Sequence, residues 1–290
     1  MITATFLDEI NVEFPSANWG SEEWTRDFAS MRADGIDTVV LARGGFSDRA
    51  TFDSRVLRSV HENLIVQEDL VALFLALAEQ NDMSLWFGTY QSGPVVDARE
   101  VETQRAFVDE VWARYGRSRA FRGWYVSRPL DTGNKGDMDC FRVLSKHLAT
   151  LSGLPVMVAP KLERQNARDE HSRVWSEALA RLEGLARVVL LEERGLGSAE
   201  LPDYLCVTRA LAAARGFETW ASVESFDRDT RIQYPPIAWP KLRFRMESAL
   251  AAGADKIVTN EYPHFLSPHS MFNSAHMLHK RYREWLATQK

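Results

Sequence analysis

The chain has 290 residues, a formal net charge of −5 and 45% apolar residues. That composition allows a full core and argues against a nucleic-acid partner, which calls for a basic face. No run nears the ~20 apolar residues of a membrane span, so no membrane partner is expected either.

The first strand-like run covers 3–10, and its start lacks the basic and apolar regions of an export signal. The expectation is a cytoplasmic protein. A loop with Asn18-Trp19-Gly20 follows, and Ser21 with Glu23 and Trp24 behind it opens a helix to about 34. Gly35 closes that helix, and 36–42 is the second strand. A long loop precedes a helix at 67–80 and a third strand at 83–90. A helix at 99–115 carries Ala106, Val108, Val111, Trp112 and Tyr115 at mixed three- and four-residue spacing. It leads to a fourth strand at 121–126. Helices at 137–151, 167–182, 201–215 and 240–252 then alternate with strands at 155–159, 187–191, 217–223 and 256–259, and a last helix spans 273–287. Cys140 and Cys206 fall inside helical stretches with no metal-type or redox-type neighbour, and read as free thiols.

Eight strand–helix units in one register predict parallel strands covered by helices. No Gly-x-Gly-x-x-Gly follows the first strand and no phosphate-binding loop occurs. The expected fold is therefore α/β, a closed (β/α)8 TIM barrel spanning 1–290 as one domain.

In this fold the chemistry sits where strands end at the C-terminal face. The ends carry Asp8 and Glu9, then Arg43, Tyr90, Arg128 with Asp131, Lys161, Glu193, Glu224, and finally Asn260, Glu261, Tyr262 and His264. Strands seven and eight both stop at a Glu with aromatics close by. A carboxylate-rich, aromatic-lined pocket suits sugar chemistry, because glycoside hydrolysis needs one carboxyl to protonate the leaving group and one to attack or to activate water. The expected catalytic set is Glu224 with Glu9 or Glu261. Asp8, Trp19, Arg43, Tyr90, Arg128, Glu193, Asn260, Tyr262 and His264 are expected to contact a small-molecule or oligosaccharide substrate. The plainer reading of any one rim carboxylate is an ion pair with Arg43, Arg128 or Arg194 that ties loops together.

Other chemistries have less behind them. His276 and His279, three apart on the last helix, read as solvated, and neither a metal nor a cofactor is expected. A sugar-acid lyase or isomerase, with Arg128 and Lys161 holding the anion, is an alternative. So is a barrel that binds glycans without turnover.

The opening Thr5-Phe6-Leu7-Asp8-Glu9-Ile10, Asn18-Trp19, Glu23-Trp24 and the run 31–43 (MRADGIDTVVLAR) carry a family resemblance. Later landmarks are Gly123-Trp124-Tyr125, Trp220-Ala221-Ser222-Val223-Glu224 and Glu261-Tyr262-Pro263-His264-Phe265-Leu266-Ser267-Pro268. Together they resemble a bacterial family of glycoside-hydrolase-like TIM barrels catalogued as a domain of unknown function (DUF4434). The resemblance spans essentially the whole chain and implies the barrel. It also implies that strand four runs on from Gly-Trp-Tyr to a His-Glu pair, with that Glu as general acid. Arg128 and Pro129 take those places here. The acid is then expected from Glu9, Glu193 or Asp131, or else Arg128 binds an acidic group.

Overall fold

A computed structural model describes residues 1–11, 18–66, 68–93, 98–161 (backbone only at 98 and 99), 167–192, 197, 199–227 and 234–289. In chain order the elements begin β1 (Ala4–Leu7), α1 (Ser21–Ala33), β2 (Thr38–Leu41), β3 (Gly45–Phe46), β4 (Arg49–Ala50), α2 (Arg55–Val60), β5 (Ile65–Val66) and α3 (Leu70–Gln80). There follow β6 (Ser84–Gly88), β7 (Tyr90–Gln91), α4 (Ala98–Tyr115), β8 (Phe121–Leu130), α5 (Lys135–Ser152), β9 (Val156–Pro160) and α6 (Arg168–Leu182). The chain finishes with β10 (Val188–Leu191), α7 (Leu201–Ala214), β11 (Glu218–Val223), α8 (Trp239–Ala251), β12 (Lys256–Asn260), α9 (Tyr262–Phe265) and α10 (Asn273–Ala287).

The expected barrel is present. Strands β1, β2, β6, β8, β9, β10, β11 and β12 pair in parallel, and β12 returns to β1 to close the ring. Closure sorts side chains by the two-residue period of a strand. One set fills the interior: Ala4 and Phe6, Val40, Trp86, Tyr125, Met157, Val188 with Leu190, Trp220 and Val258. Trp86 and Trp220 meet edge to face at 4.9 Å across the ring. Gly123 is glycine because a Cβ there would lie 2.4 Å from the Trp86 ring. The alternate set, with Leu7, Leu41, Phe87, Trp124, Leu191, Val223 and Ile257, packs outward against helices.

Helix starts and stops follow local chemistry. The Gly20 N–H at the start of α1 donates to Glu23 Oε2 at 3.1 Å, the half of a capping box that the third helical position supplies. Gly153 and Gly216 end α5 and α7 at positive φ, 68° and 77°, where an L side chain would be strained.

Two departures from the sequence reading matter for the site. The long loop after β2 holds β3, α2, β4 and β5, and with β7 makes a small four-stranded sheet. It can lie against the barrel because Gly44 N–H donates to Gly88 O at 2.7 Å, and a Cβ on Gly88 would stand 2.4 Å from the carbonyls of Leu41 and Ala42. The fourth barrel strand does not end at Val126. It runs to Leu130 with an irregularity, Tyr125 facing Met157 and Pro129 facing Ala159. Pro129 has no N–H to donate, and such a break is where a strand tolerates proline. No helix among the described residues is long and apolar enough to cross a membrane.

Among the outer helices, His171 of α6 is buried, with Nε2 2.8 Å from Thr208 Oγ1 of α7. Its ring meets Tyr204 edge to face at 4.2 Å. Burial pushes this imidazole down from 6.5 to about 4. Between those values the unfolded chain takes up a proton that the folded state refuses, so stability present above about pH 6.5 is lost as the pH falls toward 4. A thermal-melt series over that window should show a steeper decline for the wild type than for His171→Gln, and equal slopes would remove His171 as a cause.

Candidate active site

Three neighbouring strands carry the interior period out to their C-terminal ends. On β11, Trp220 is interior and Ser222 and Glu224 follow it at two-residue steps. On β12, Val258 is interior and Asn260 follows. On β1, Ala4 and Phe6 are interior and Asp8 follows. The ladder pairs Val223 with Thr259 and Phe6 with Asn260, so Glu224 and Asn260 share a row with Phe6, and Asp8 lies one two-residue step beyond that row on β1.

Asp8 is 8% exposed and accepts from Arg43 Nη2 at 2.8 Å and from Asn11 Nδ2 at 3.1 Å, both on Oδ2. Burial pushes its carboxyl up to about 7, against the pull of Arg43 and with added repulsion from Glu261 and Glu9. Arg43 in turn lies over the Phe46 ring at 4.7 Å, a cation–π contact supplied by the small side sheet. Glu224 is partly exposed. Arg245 of α8 donates to its backbone carbonyl at 3.2 Å, and the guanidinium stands 4.0 Å from its carboxylate.

Glu9 and Glu261 fall one residue out of step with Asp8 and Asn260, and they face a different neighbourhood. Glu261 Oε2 lies 3.2 Å from His264 Nδ1 of α9, and both side chains are buried. Glu9, Glu261 and His264 each offer a ligating atom within 4.8 Å of the others. Asp27 of α1 feels the charges of His264 and Glu9, and accepts a hydrogen bond from Ser267 Oγ. Burial pushes Asp27 up to about 7 as well, with Ser267 and His264 opposing and Asp34 and Glu9 adding to the rise. A line of buried acids therefore runs from Asp8 at the mouth, through Glu9 and Glu261 in the wall, to Asp27 in the helix layer. Glu261 itself has φ 51° and ψ 57°, a left-handed conformation that costs a non-glycine residue roughly 1–2 kcal/mol.

Several expected substrate contacts have other duties. Tyr262 is 0% exposed, and its hydroxyl donates to Asp34 Oδ2 at 2.6 Å. Asp34 also receives His279 Nε2 at 2.9 Å and Arg283 Nη1 at 3.0 Å. Tyr90 is 2% exposed, with its hydroxyl 2.6 Å from His61 Nε2 and donating to Ser47 O at 3.3 Å. Neither ring has a face to offer a sugar. Arg128 lines a cavity of about 20 Å³ with Val126 and Leu130 of β8, Val101 and Gln104 of α4, and Asp137 and Cys140 of α5, room for about one water. It points into the helix layer because the long β8 keeps it on the outward period. Asp131, a candidate acid, accepts from the backbone N–H groups of Gly133 and Asn134 at 2.9 and 3.2 Å and shapes the turn before α5. Glu193 lies outside the described residues. Trp19 remains partly exposed, edge to face with Trp24 at 5.1 Å.

The sequence reading passed over Asp27. It could have been found, because Trp24, Asp27, Phe28 and Met31 form the buried stripe of α1 and an acid on such a stripe is unusual.

An eight-stranded parallel barrel with carboxylates at adjoining strand ends defines a glycoside-hydrolase-like TIM barrel. Residues 2–272 match the family described as a domain of unknown function, DUF4434, and the chain belongs to that family. It is similar to a putative alpha-L-fucosidase from Bacteroides thetaiotaomicron VPI-5482, with 36% identity and TM-score 0.91 over 98% of this chain and 92% of that one. It shares its fold with the endo-1,4-beta-D-mannanase of Thermotoga petrophila RKU-1, at 10% identity and TM-score 0.62 over 98% and 99% of the two chains. The same holds for a beta-D-glucuronidase from Dictyoglomus thermophilum, at 11% identity and TM-score 0.60, where 98% of this chain covers 50% of that one. No curated protein matches the sequence.

Replacing Tyr262 by Phe removes one of three donors to a buried carboxylate. Urea unfolding should show a loss of roughly 1–3 kcal/mol. Ligand binding, measured separately, should be unchanged, and weakened binding at full stability would return Tyr262 to the site.

Proposed function

We propose that the protein is a glycoside hydrolase acting over the mouth between β11, β12 and β1. The observation that carries this reading is that Glu224, Asn260 and Asp8 each continue the interior two-residue period at the ends of three adjoining strands. The 36% identity to the fucosidase-like structure adds to it. Glu224 is the carboxylate that attacks or activates water, and Asp8 is its partner at the leaving group. Asn260 hydrogen-bonds a ring hydroxyl, Trp19 offers an aromatic face, and Arg43 holds Asp8 in place. Neighbouring strands lie about 4.8 Å apart and rise about 3.3 Å per residue, so with the two-residue step of Asp8 the backbones of Glu224 and Asp8 stand roughly 12 Å apart. The Glu side chain narrows that gap toward the ~5–9.5 Å at which paired carboxyls hydrolyse glycosides.

This assignment moves the acid from Glu9 or Glu261 to Asp8, because those two face His264 and the α1 side of the wall. The sugar-acid lyase reading loses support, since Arg128, one of its two cations, lines a cavity in the helix layer.

The test is a panel of aryl glycosides that begins with an α-L-fucoside. Glu224→Gln and Asp8→Asn should each lower kcat by about 10²–10⁴-fold, with saccharide binding retained by calorimetry. A wild type that turns over nothing in the panel, or a Glu224→Gln variant with unchanged turnover, would sink the proposal.

A further inference from the structure

The wall cluster beside the mouth has a composition that hydrolysis does not use. Glu9 leaves the end of β1, Glu261 precedes α9, and His264 lies within α9. The Glu-x-x-His spacing brings the last two onto one side of a single turn, and strand closure brings Glu9 to them. Their ligating atoms lie within 4.8 Å of one another. A first-row divalent ion with ~2.1 Å bonds spaces neighbouring ligand atoms by ~3.0–3.4 Å, so the widest pair in the set would close by up to roughly 1.4–1.8 Å around an ion. A second observation points the same way. Glu261 meets His264 through Oε2, while its Oε1, on a side chain 3% exposed, is buried without a hydrogen-bond partner among the described residues. Asp8 Oδ1, next along the line of acids, is in the same state.

Asp8 feels the charges of Glu9 and Glu261, and Asp27 feels that of Glu9. Acids crowded together inside a protein call for a bound cation or for protons.

We infer that Glu9, Glu261 and His264 form a binding site for one divalent first-row transition ion, Mn²⁺ or Zn²⁺. Two carboxylates with one imidazole suit these ions. Mg²⁺ and Ca²⁺, which favour all-oxygen shells, suit the set less well. Asp27, near enough for charge to act between it and His264, is the candidate outer-sphere carboxylate for the ligating histidine. The site lies in the wall behind Asp8, so the ion would brace the β1–β12 junction rather than touch the sugar. The inference is independent of the hydrolase reading.

The experiment uses the full chain, stripped with chelator and titrated with MnCl₂, ZnCl₂ or MgCl₂ by calorimetry. Thermal melts and the Mn²⁺ electron-spin signal are followed in parallel. One equivalent of Mn²⁺ or Zn²⁺ should bind and raise the melting temperature, with Mg²⁺ weaker. His264→Gln and Glu9→Gln should each weaken binding at least about tenfold and abolish the thermal shift. Circular dichroism of the metal-free variants checks that they fold, and either variant suffices if the other does not. Glu224→Gln should bind the ion as the wild type does. Absence of stoichiometric binding by the wild type, or undiminished binding by a folded ligand variant, overturns the inference. Hydrolysis lost in Glu224→Gln with no ion bound would leave the hydrolase standing without the metal.

Discussion

The pairing that closes the barrel decides what every rim residue can do. Ala4, Thr5 and Phe6 of β1 lie opposite Val258, Thr259 and Asn260 of β12. The ladder continues past both strands, with Glu261 N–H donating to Phe6 O at 2.9 Å and Tyr262 N–H to Thr5 Oγ1 at 3.2 Å. On the other side of β1, Ala42 N–H donates to Leu7 O at 2.8 Å. These bonds lock the register, and register in a strand is a choice of face. A slip of one residue would turn Asp8 into the wall and Glu9 into the mouth. The interior rings of Phe6 and Trp220 oppose such a slip, because each would have to exchange places with a residue packed against helices.

That locked register gathers acids where stability alone would not put them. Asp34 shows how this protein satisfies a buried carboxylate for structural purposes. It receives a phenol, an imidazole and a guanidinium, which join α1 to α9 and α10. The line from Asp8 to Asp27 is treated differently. Asp8 shares one oxygen between two donors, Asp27 accepts from a neutral hydroxyl, and Glu261 has a histidine on one oxygen alone. Burying charge with incomplete pairing costs several kcal/mol, and the left-handed backbone at Glu261 adds to it. Two unfavourable terms thus coincide at one strand end, a cost that the proposed ion would offset.

Much of this was readable from sequence, with a limit that is physical. The strands and helices showed because their periods differ, and the helix-ending glycines showed because only glycine takes positive φ cheaply. Asp8, Glu9, Glu224, Asn260 and Glu261 were all recognisable as strand-end residues. Their division between mouth and wall was not, because alternation says which residues share a face and not which face is inside. Interior packing supplies that missing sign, through Phe6, Trp220 and Val258. Tyr90 and Tyr262 misled for a related reason. An aromatic beyond a strand end can line a pocket or seal a layer, and the choice rests on His61 and Asp34, remote in sequence.

The fourth barrel strand bears on why the rim acids concentrate in one sector. With Pro129 seated at the break between β8 and β9, the strand extends by four residues past Val126 and carries Arg128 outward toward α4 and α5. No residue of β8 is an acid, and Asp131 just beyond it is engaged in a turn. On the proposed hydrolase reading, a carboxyl to partner Glu224 has to come from elsewhere on the rim. Moving from β11 through β12, the next interior acid at a strand end is Asp8. The burial that sets its proton affinity and the guanidinium that orients it both come from packing on the β1–β2 side. The lack of an acid at β8 and the crowding of acids at β1 and β12 are therefore two aspects of one arrangement, in which the buried acids sit beside the junction that closes the ring.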